Sequence, residues 1–522
     1  MNGISTISFP LRTIRGWISL ITLFLVALVF LDIHAGLPAW FLKAVVYLQF
    51  LPSLMKTLAG GAADLFAGFV LVLILTALFG RVYCSFLCPL GTIMDLVSRI
   101  RSGRMAFSHA EPFTRVRAGV LLVALLVFLS GSLSPITLLD PFSIFGREMT
   151  LFVRPVILLV NNGLSRILET VGCYGLPPVA QRWFSLGVMA AGVGYLVLIF
   201  YLSFMRGRLY CNTLCPVGTL LGLVSRAALF RLILSKTRCT GCGVCEKVCK
   251  AQCIDWKKGV IYGSRCVGCF NCISRCPNGT IRFSMKRGGE KSAVPEISKA
   301  RRDLIQMVLI VMAGFPGNLM AQASRARVFM KNKIPVTKNQ PVTPPGSRSF
   351  AHFTAACTAC YLCVTRCPGR VIEPGIVRYG NAGIFMPHLS NRHGFCNYEC
   401  TLCGEVCPTG AILPLTRGEK KEIQVGRVHF IRENCIVITQ KTECGACSEH
   451  CPTKAVNMTV EGGLRVPVVF PDLCVGCGAC EYACPSLPHK SIYVEGNRVH
   501  GKSRKPEENK RQEPATGDPF PF

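Results

Sequence analysis

Most cysteines of this 522-residue sequence fall into runs whose spacing suits metal ligands better than disulfides. Disulfide scaffolds are typically short secreted domains, whereas this chain is long and has 30 cysteines. Between residues 239 and 276, the pattern C-x2-C-x2-C-x3-C occurs twice. In such a run, a tight loop aims three thiolates at one [4Fe–4S] cube, and the fourth cysteine serves the neighbouring cube. The spacing predicts one cube on Cys239, Cys242, Cys245 and Cys276, and another on Cys249, Cys266, Cys269 and Cys272.

Four further cysteine runs, each ending in Cys-Pro, follow between residues 357 and 485. Zinc is the alternative for C-x2-C pairs, but complete four-cysteine runs favour four more cubes. In each pair of runs, the fourth cysteine of one run would bind the cube of the other run. We prefer a nested scheme, in which the first of these four runs pairs with the last and the second pairs with the third. The predicted ligands are Cys357, Cys360, Cys363, Cys367, Cys396, Cys400, Cys403, Cys407, Cys435, Cys444, Cys447, Cys451, Cys474, Cys477, Cys480 and Cys484.

Two residues of the first pair of runs depart from the expected pattern. Lys250 stands where a proline is expected after Cys249, and Cys253 lies four residues beyond that cysteine. Cys253 is either an alternative ligand or a buried spare thiol, and we favour the spare thiol.

Two cysteine pairs of another kind have the form C-x3-C-P. They lie in an internal repeat, because residues 80–99 and 207–226 are identical at thirteen of twenty positions. Residues four apart share a helix face, and the proline breaks or restarts the helix. We predict that the repeat brings four sulfurs together as a redox or metal site, an additional iron–sulfur cluster being one form of it. Simple packing or a dithiol is the alternative. The residues are Cys84, Cys88, Cys211 and Cys215.

The elements that must position these cysteines are apolar helices. Half of the residues are hydrophobic and 16% are charged, which is typical of a membrane protein. A bilayer span needs about 20 apolar residues. Amphipathic stretches at Trp40–Leu58 and Phe152–Leu168 are interpreted as surface or packed connections. The predicted spans are Trp17–Leu37, a segment centred on Leu65–Phe79, Ala118–Leu139 and Trp183–Met205, with Leu304–Phe315 as a weaker fifth.

The net charge of +30 also favours a membrane. The basic residues cluster beside apolar segments, as they do at the cytoplasmic ends of membrane spans. No groove-reading motif accompanies them, so no nucleic-acid partner is expected. Their distribution puts the N-terminus and the ends of the second and fourth spans in the cytoplasm. The sequence has no nucleophile–base signature, phosphate loop or dinucleotide fingerprint.

The predicted fold is an α-helical membrane domain of four spans, with a fifth left open, joined to α+β ferredoxin-like [4Fe–4S] domains. The linker after the first ferredoxin domain is basic and contains prolines, as extended connectors often do. The predicted parts are a membrane domain at 1–236, a two-cluster domain at 237–285, an apolar segment and linker at 286–350, a four-cluster domain at 351–495 and a disordered tail at 496–522.

The spans, the doubled C-x3-C-P and the adjoining two-cluster segment resemble NapH, the membrane ferredoxin-type subunit of periplasmic nitrate reductase systems. Membrane polyferredoxins of nitrous oxide, methylamine and copper metabolism share the C-x3-C-P feature. The four-cluster part resembles the companion subunit NapG. This resemblance implies a bacterial inner-membrane protein that oxidises quinol and passes electrons to a periplasmic reductase or cytochrome.

The resemblance also bears on the side of the membrane. NapG-like proteins are exported folded behind a twin-arginine signal, and Arg301 and Arg302 precede Leu304–Phe315 in the order of such a signal. A chance basic pair before an anchor is the alternative. The resemblance therefore implies a periplasmic four-cluster domain, whereas the distribution of basic residues puts the two-cluster domain in the cytoplasm.

Quinol oxidation requires groups that accept protons. Asp32, His34 and Asp140 lie near the outer ends of the first and third predicted spans, where ionisable groups are costly. We take them as candidate catalytic residues, with ordinary loop or interface positions as the favoured alternative. A different function also stays open, in which the protein matures or regulates a partner by reducing its metal or thiol centre.

Overall fold

The computed structural model describes most of the chain. The weak apolar segment, the twin-arginine-like pair and the basic linker up to residue 332 lie outside the described residues, so the predictions made for them stay untested. The rest of the linker packs on the second cysteine-rich part, where Val342 is buried and forms a bridge with Leu389. The described residues are 11–34, 36–60, 68–101, 107–110, 113–181, 183–235, 239–285 and 333–504.

Three helical stretches among the described residues are long and apolar enough to cross a membrane. Helix α1, Leu11–Leu31, and the helix Leu186–Arg206 confirm the first and fourth predicted spans. The other stretch, Pro141–Thr170, has 30 residues and contains one of the amphipathic segments. We missed it as a span because Arg147, Glu148 and other polar residues interrupt its apolar pattern.

The predicted third span is wrong as one continuous helix. The chain forms α7, Thr114–Leu129, then a turn, and then the short α8, Ser134–Leu139. Gly131 in the turn has a φ of 83°, a conformation that glycine adopts without steric cost. The predicted span was chosen for its lack of charged residues, and that criterion ignores the glycine and proline turn signals in the sequence Ser-Gly-Ser-Leu-Ser-Pro at 130–135. The second predicted span appears as α4, Gly68–Phe79, of 12 described residues.

Short helices connect these long ones and form the two repeats. The stretch Pro141–Thr170 consists of two α-helices joined by a π-helical turn at Met149–Val153. Besides α1, α4, α7 and α8, the α-helices described in this half are α2 Ala39–Tyr47, α3 Phe50–Gly60, α5 Tyr83–Phe86, α6 Pro89–Arg101, α9 Pro141–Glu148, α10 Arg154–Thr170, α11 Leu186–Arg206, α12 Leu209–Thr213 and α13 Pro216–Val224.

The cysteine-rich parts are built from short helices and, among the described residues, five two-stranded antiparallel sheets. In the first part, β1 follows the repeat directly and pairs with β4, so that the two strands enclose both cysteine runs. The other pairs are β2 with β3, β5 with β6, β7 with β10 and β8 with β9. The strands are β1 Phe230–Leu234, β2 Ile254–Asp255, β3 Val260–Ile261, β4 Ile281–Met285, β5 Ile372–Pro374, β6 Pro387–Leu389, β7 Ile423–Phe430, β8 Val456–Glu461, β9 Leu464–Val469 and β10 Ile492–Lys502.

The helices of the cysteine-rich parts are short, four to seven residues each, and most begin within a cysteine run. They are α14 Val244–Lys247, α15 Asn271–Arg275, Phe350–Ala356, Leu362–Arg366, Leu402–Glu405, Arg417–Glu422, Ile436–Thr439, Ala446–Glu449 and Ala479–Ala483.

A buried carboxylate in α6 fastens the two-cluster part to the helices. Asp95 lies 2.6 Å from Nη1 of Arg15, 3.0 Å from Nη2 of Arg208 and 3.6 Å from Nζ of Lys250. Lys250 also donates to the Asp95 main-chain oxygen at 3.0 Å. The lysine that replaces the expected proline therefore has a structural role: it ties its cysteine run to α6.

The protonation of Asp95 depends on these cations. Burial alone would raise the pKa of this carboxyl, but Arg208, Lys250 and Arg15 outweigh burial and lower it below its usual value. A lowered folded-state pKa means that the ionised carboxylate stabilises the fold above the unfolded value, near pH 4. That stabilisation is lost as the pH falls through the folded pKa.

Another buried ion pair lies just beyond the opposite end of α1. The Asp32 carboxylate is 2.8 Å from Nη2 of Arg366 in the second cysteine-rich part. Arg154 of α10 donates to the carbonyl oxygens of Phe30 and Thr365, at 2.7 and 2.9 Å. The second cysteine-rich part thus lies at one end of the 21-residue helix α1, which extends about 30 Å, and the first part is joined to the other end through Asp95.

We expect Asp95→Asn to destabilise the full-length protein by about 3–5 kcal/mol, because three buried cations lose their counter-charge. Chemical denaturation of the purified protein, followed by its midpoint, measures the change. Glu399→Gln is the control, since Glu399 pairs with Lys421 at the exposed surface. Equal denaturation midpoints for the two variants would contradict this role of Asp95.

Candidate metal centres

The two runs of the first cysteine-rich part bring their thiols together in two groups of four. Cys239, Cys242 and Cys245 share one cavity with Cys276, the last cysteine of the other run. A second cavity is lined by Cys249, Cys266, Cys269 and Cys272, and also by Cys253. These are the groupings expected from the spacing, with each fourth cysteine exchanged between runs.

The loops that carry these thiols share one backbone conformation. In each C-x2-C-x2-C loop, the second and fourth residues after the first cysteine have a positive φ. This conformation curls the chain tightly, as a loop that presents three thiols to one cube must do. Main-chain N–H groups also point at sulfur, as from Gly476 to Cys474 at 3.3 Å. The residues concerned are Gly241, Gly243, Gly268, Phe270, Ala359, Tyr361, Gly476 and Gly478.

Cys253 is a buried thiol between two of the predicted ligands. Its sulfur lies 3.6 Å from that of Cys249. A hydrogen bond from the Cys253 thiol lowers the pKa of Cys249 to about 7 and also lowers the pKa of Cys266. Because thiolates are the metal-binding form of cysteine, this donor favours the ligating state of its neighbours.

The second cysteine-rich part pairs its runs differently from our expectation. Cys367, the last cysteine of the first run, shares a cavity with Cys396, Cys400 and Cys403 of the second. Burial raises the pKa of Cys357, and the nearby Cys407 sulfur raises it further. The Cys407 sulfur also adds to the rise in the pKa values of Cys360 and Cys363, for which burial is again the main cause. The first two runs therefore exchange fourth cysteines with each other.

The last two runs show the same relation. Burial raises the pKa of Cys447 to about 12, and the sulfurs of Cys484, Cys444 and Cys435 add to the rise. Burial likewise raises the pKa of Cys474 to about 11, and Cys451 is the sulfur that adds to it. The nested scheme is wrong: consecutive runs are paired, first with second and third with fourth.

The described residues suit cubes better than single ions. Within the described ranges, no three Cys, His, Asp or Glu side chains converge as ligands of one ion. The thiols instead surround cavities in groups of four. A [4Fe–4S] cube bound in such a group would exchange single electrons.

The two C-x3-C-P repeats form a nearly symmetric pair around two buried arginines. Arg81 lies 3.7 Å from its own Cys84 sulfur and donates to the Cys211 carbonyl oxygen at 3.0 Å. Arg208 reverses the pattern: it lies 3.9 Å from the Cys211 sulfur and donates to the Cys84 carbonyl oxygen at 2.8 Å. Each guanidinium thus spans both repeats.

The second cysteine of each pair caps the helix that its proline begins. The amide of Gly91 donates to the Cys88 sulfur at 3.4 Å, and that of Gly218 donates to the Cys215 sulfur at 3.2 Å. All four cysteines are buried. The repeat therefore does bring the four predicted residues into one region, beside two permanent positive charges.

This region contacts the two-cluster part directly. Ser85, next to Cys84, donates to the Val267 carbonyl oxygen at 2.7 Å. The rings of Phe86 and Phe270 meet edge to face, with centroids 6.5 Å apart. Val267 and Phe270 belong to the loop that carries Cys266, Cys269 and Cys272, so the repeat lies against one of the predicted cube sites.

The three candidate proton acceptors lie in different environments. Asp32 accepts from the amides of Gly36 and Leu37 besides its pair with Arg366, so it has a structural role in docking. His34 Nε2 lies 3.2 Å from the Asn161 side-chain oxygen. Asp140 is buried and caps α9 by accepting from the amide and hydroxyl of Ser143, both at 2.7 Å.

The sequence-based prediction missed the buried polar residues that follow Asp140. Arg147 and Glu148 end α9 with only 3% and 7% of their surfaces exposed. A basic–acidic pair in an amphipathic segment is ordinarily a solvated one, so the sequence offers no signal for their burial.

These features define a class of protein: one that joins helices long enough to cross a membrane to cysteine-rich, ferredoxin-type parts. Residues 62–108 and 188–237 match the family described as "4Fe-4S binding domain". Residues 440–487 match the family described as "4Fe-4S dicluster domain". The first family covers both C-x3-C-P repeats, and the second covers parts of the last two runs.

The chain is similar at modest identity to ferredoxin-type proteins. An uncharacterised protein of Methanocaldococcus jannaschii is 25% identical over 229 residues, which cover 44% of this chain and 82% of that protein. Ferredoxin-type protein NapH of Haemophilus influenzae is 24% identical over 43% of this chain and 69% of its own length. Ferredoxin-type protein NapF of Escherichia coli is 27% identical over 30% and 87%. No solved structure matches the chain.

The exchange of fourth cysteines can be tested by single substitutions. We expect Cys367→Ser to alter the same cluster signal in electron paramagnetic resonance as Cys400→Ser, because both thiols line one cavity. Cys360→Ser should alter a different signal. A match between Cys367→Ser and Cys477→Ser would instead support the nested scheme.

The C-x3-C-P pairs can be tested by metal content. If they hold a cube, serine at all four positions (Cys84, Cys88, Cys211 and Cys215) should remove about four iron atoms per chain. Cys173→Ser is the control, since Cys173 is an exposed thiol. Iron content equal to that of the control would rule out a cluster at these pairs.

Proposed function

We propose that the protein is a membrane-bound iron–sulfur protein that oxidises membrane quinol and passes electrons through [4Fe–4S] clusters to a periplasmic reductase or cytochrome. One observation carries the proposal: the two cysteine-rich parts are fastened near opposite ends of an apolar helix. The first is fastened through Asp95, which pairs with both Lys250 and Arg15, and the second through the pair of Asp32 with Arg366. Clusters on both sides of a membrane have little use except to move electrons between a carrier in the lipid and a soluble partner.

A chain of contacts joins the two ends. From the loop at Val267, the path reaches Ser85 and the C-x3-C-P region. Tyr210, next to Cys211, donates to the Leu139 carbonyl oxygen at 2.7 Å. The adjacent Asp140 caps α9, and Gly146 of that helix lies against the carbonyl oxygen of Cys360 in the second cysteine-rich part. A redox centre at the C-x3-C-P pairs would thus lie on the path between the predicted cubes of the two parts.

The proposed orientation places residues 237–285 in the cytoplasm and residues 351–495 in the periplasm of a bacterial inner membrane. The charge pattern supports the cytoplasmic side for the ends of α4 and α11. The similarity to ferredoxin-type protein NapH supports a role beside a terminal reductase. The NapG-like role of residues 351–495 is supported by their four cysteine runs.

Anaerobic mixing of the full-length protein in lipid nanodiscs with reduced quinol analogues tests the proposal. We expect prompt bleaching of the visible cluster absorbance, because electrons enter the cubes one at a time. Protein bleached beforehand by dithionite sets the full amplitude. If dithionite bleaches the clusters and no quinol does, quinol oxidation is excluded. Reduction of a metal ion or a disulfide by the pre-reduced protein would then favour the maturation function.

A further inference from the structure

Two buried charged side chains at the end of α9 have polar atoms without partners. Within the described part of the chain, Nη1 and Nη2 of Arg147 and Oε2 of Glu148 have no hydrogen-bond partner. Neighbouring residues on a helix do not face each other, so Arg147 and Glu148 cannot satisfy one another's full hydrogen-bonding capacity. An unpaired buried charge is costly, so its presence in a membrane segment points to a ligand.

Aromatic rings from two different parts of the molecule enclose Arg147. Its guanidinium carbon lies 5.1 Å from the ring centroid of Tyr195 in α11 and 5.4 Å from that of Phe385 in the second cysteine-rich part. Such cation–π contacts stabilise the charge but leave its N–H donors free. The surroundings therefore offer flat apolar walls around a pair of unsatisfied polar groups.

The backbone around this pair is irregular on both sides. A π-helical turn begins at Met149, directly after Glu148, and π-bulges occur frequently at functional sites. Across the seam, Tyr361 and Phe385 have φ of 67° and 63°, which is strained for residues other than glycine. The Tyr361 hydroxyl donates to the Phe385 carbonyl oxygen at 3.0 Å, which holds the two strained residues together.

The pair also lies against a predicted cube site. A Cβ atom at Gly146, the residue before Arg147, would collide with the carbonyl oxygen of Cys360. Cys360 and Tyr361 belong to the loop of the first run, so an electron released beside Arg147 has a short path to the cube site of Cys357, Cys360 and Cys363.

We propose that Arg147 and Glu148 bind the headgroup of quinol at the seam between α9 and the second cysteine-rich part. This inference rests on the proposed quinol oxidation and deepens it by naming the site. Arg147 donates hydrogen bonds to a quinone or quinol oxygen, and Glu148 accepts a hydroxyl proton. About two and three turns further on, Val156 and Val160 expose apolar side chains along which the quinol tail can lie.

The reaction at this site balances as follows. Oxidation of one quinol breaks two O–H bonds and gives one quinone, two protons and two electrons. An oxidised [4Fe–4S] cube held by the loop of Cys357, Cys360 and Cys363 would accept these electrons one at a time. Glu148 takes one proton in its ionised form, and the buried Asp140 carboxylate at the start of the same helix is the second acceptor.

Conservative variants separate the two roles. We expect Arg147→Gln to weaken binding of oxidised decylubiquinone by at least about tenfold, since it removes hydrogen bonds from a charged donor. Arg147→Lys should retain binding within about threefold, because it keeps a cationic donor. Glu148→Gln should slow bleaching by decylubiquinol by about 100-fold, the usual contribution of a general base.

Equilibrium titration of decylubiquinone into full-length protein in nanodiscs gives the binding constant, and stopped-flow absorbance gives the bleaching rate. Glu169→Gln, an exposed carboxylate near the end of α10, is the matched control. Iron content and the dithionite-reduced spectrum report whether each variant keeps its clusters. Arg147→Lys keeps the test informative if Arg147→Gln loses them.

The outcomes distinguish this inference from the proposed function. If decylubiquinol bleaches the wild type, and the Arg147 and Glu148 variants bind and bleach like Glu169→Gln, the site is elsewhere and only the inference fails. In that case Arg147 is held by its cation–π contacts alone. If no quinol binds or bleaches the wild type, the proposed function fails, and the inference fails with it.

Discussion

The structure depends on buried charges that are paired across the joints between its parts. An ionised side chain taken out of water is expensive unless an opposite charge meets it in good geometry. Asp95 meets this condition with cations from α1, from the second repeat and from the two-cluster part at once. At the far end of α1, Asp32 and Arg366 do the same for the second cysteine-rich part. Apolar packing alone tolerates sliding, whereas a buried ion pair fixes one position.

Fixed positions matter because electron transfer depends on the separation of the centres. The C-x3-C-P repeats lie between the two joints, with Arg81 and Arg208 spanning them. Asp95 has no counterpart in the other repeat, where Gly222 occupies the equivalent position. The repeat is therefore symmetric in its cysteines and asymmetric in its charges, and the asymmetry is what fastens the two-cluster part to one side.

The sequence predicted local features better than the relations between them. Cysteine spacing foretold the two thiol groups of the first part, because a tight loop fixes its own geometry. It failed for the fourth cysteine of the later runs, since that choice depends on the path of the chain between runs. Hydropathy found α1 and α11 but joined α7 to α8, because the absence of charge was weighed above the glycine and proline signals of the turn at residues 130–135. Lys250 departs from the expected pattern of the cysteine run, and only the structure shows its role, which is to pair with Asp95. The sequence suggested that Arg147 and Glu148 are exposed to solvent. Burial between segments that are distant in the chain produces no periodic pattern of apolar residues, so the sequence could not predict it.

The central claim is that six groups of four thiols hold cubes of iron and sulfur. Mössbauer spectroscopy of anaerobically purified full-length protein, with iron and acid-labile sulfide counted on the same sample, tests it most directly. The account predicts about 24 iron atoms per chain in [4Fe–4S] form, with any excess assigned to the C-x3-C-P pairs. Colourless protein that holds zinc, or whose cysteines are cross-linked as disulfides, would contradict it.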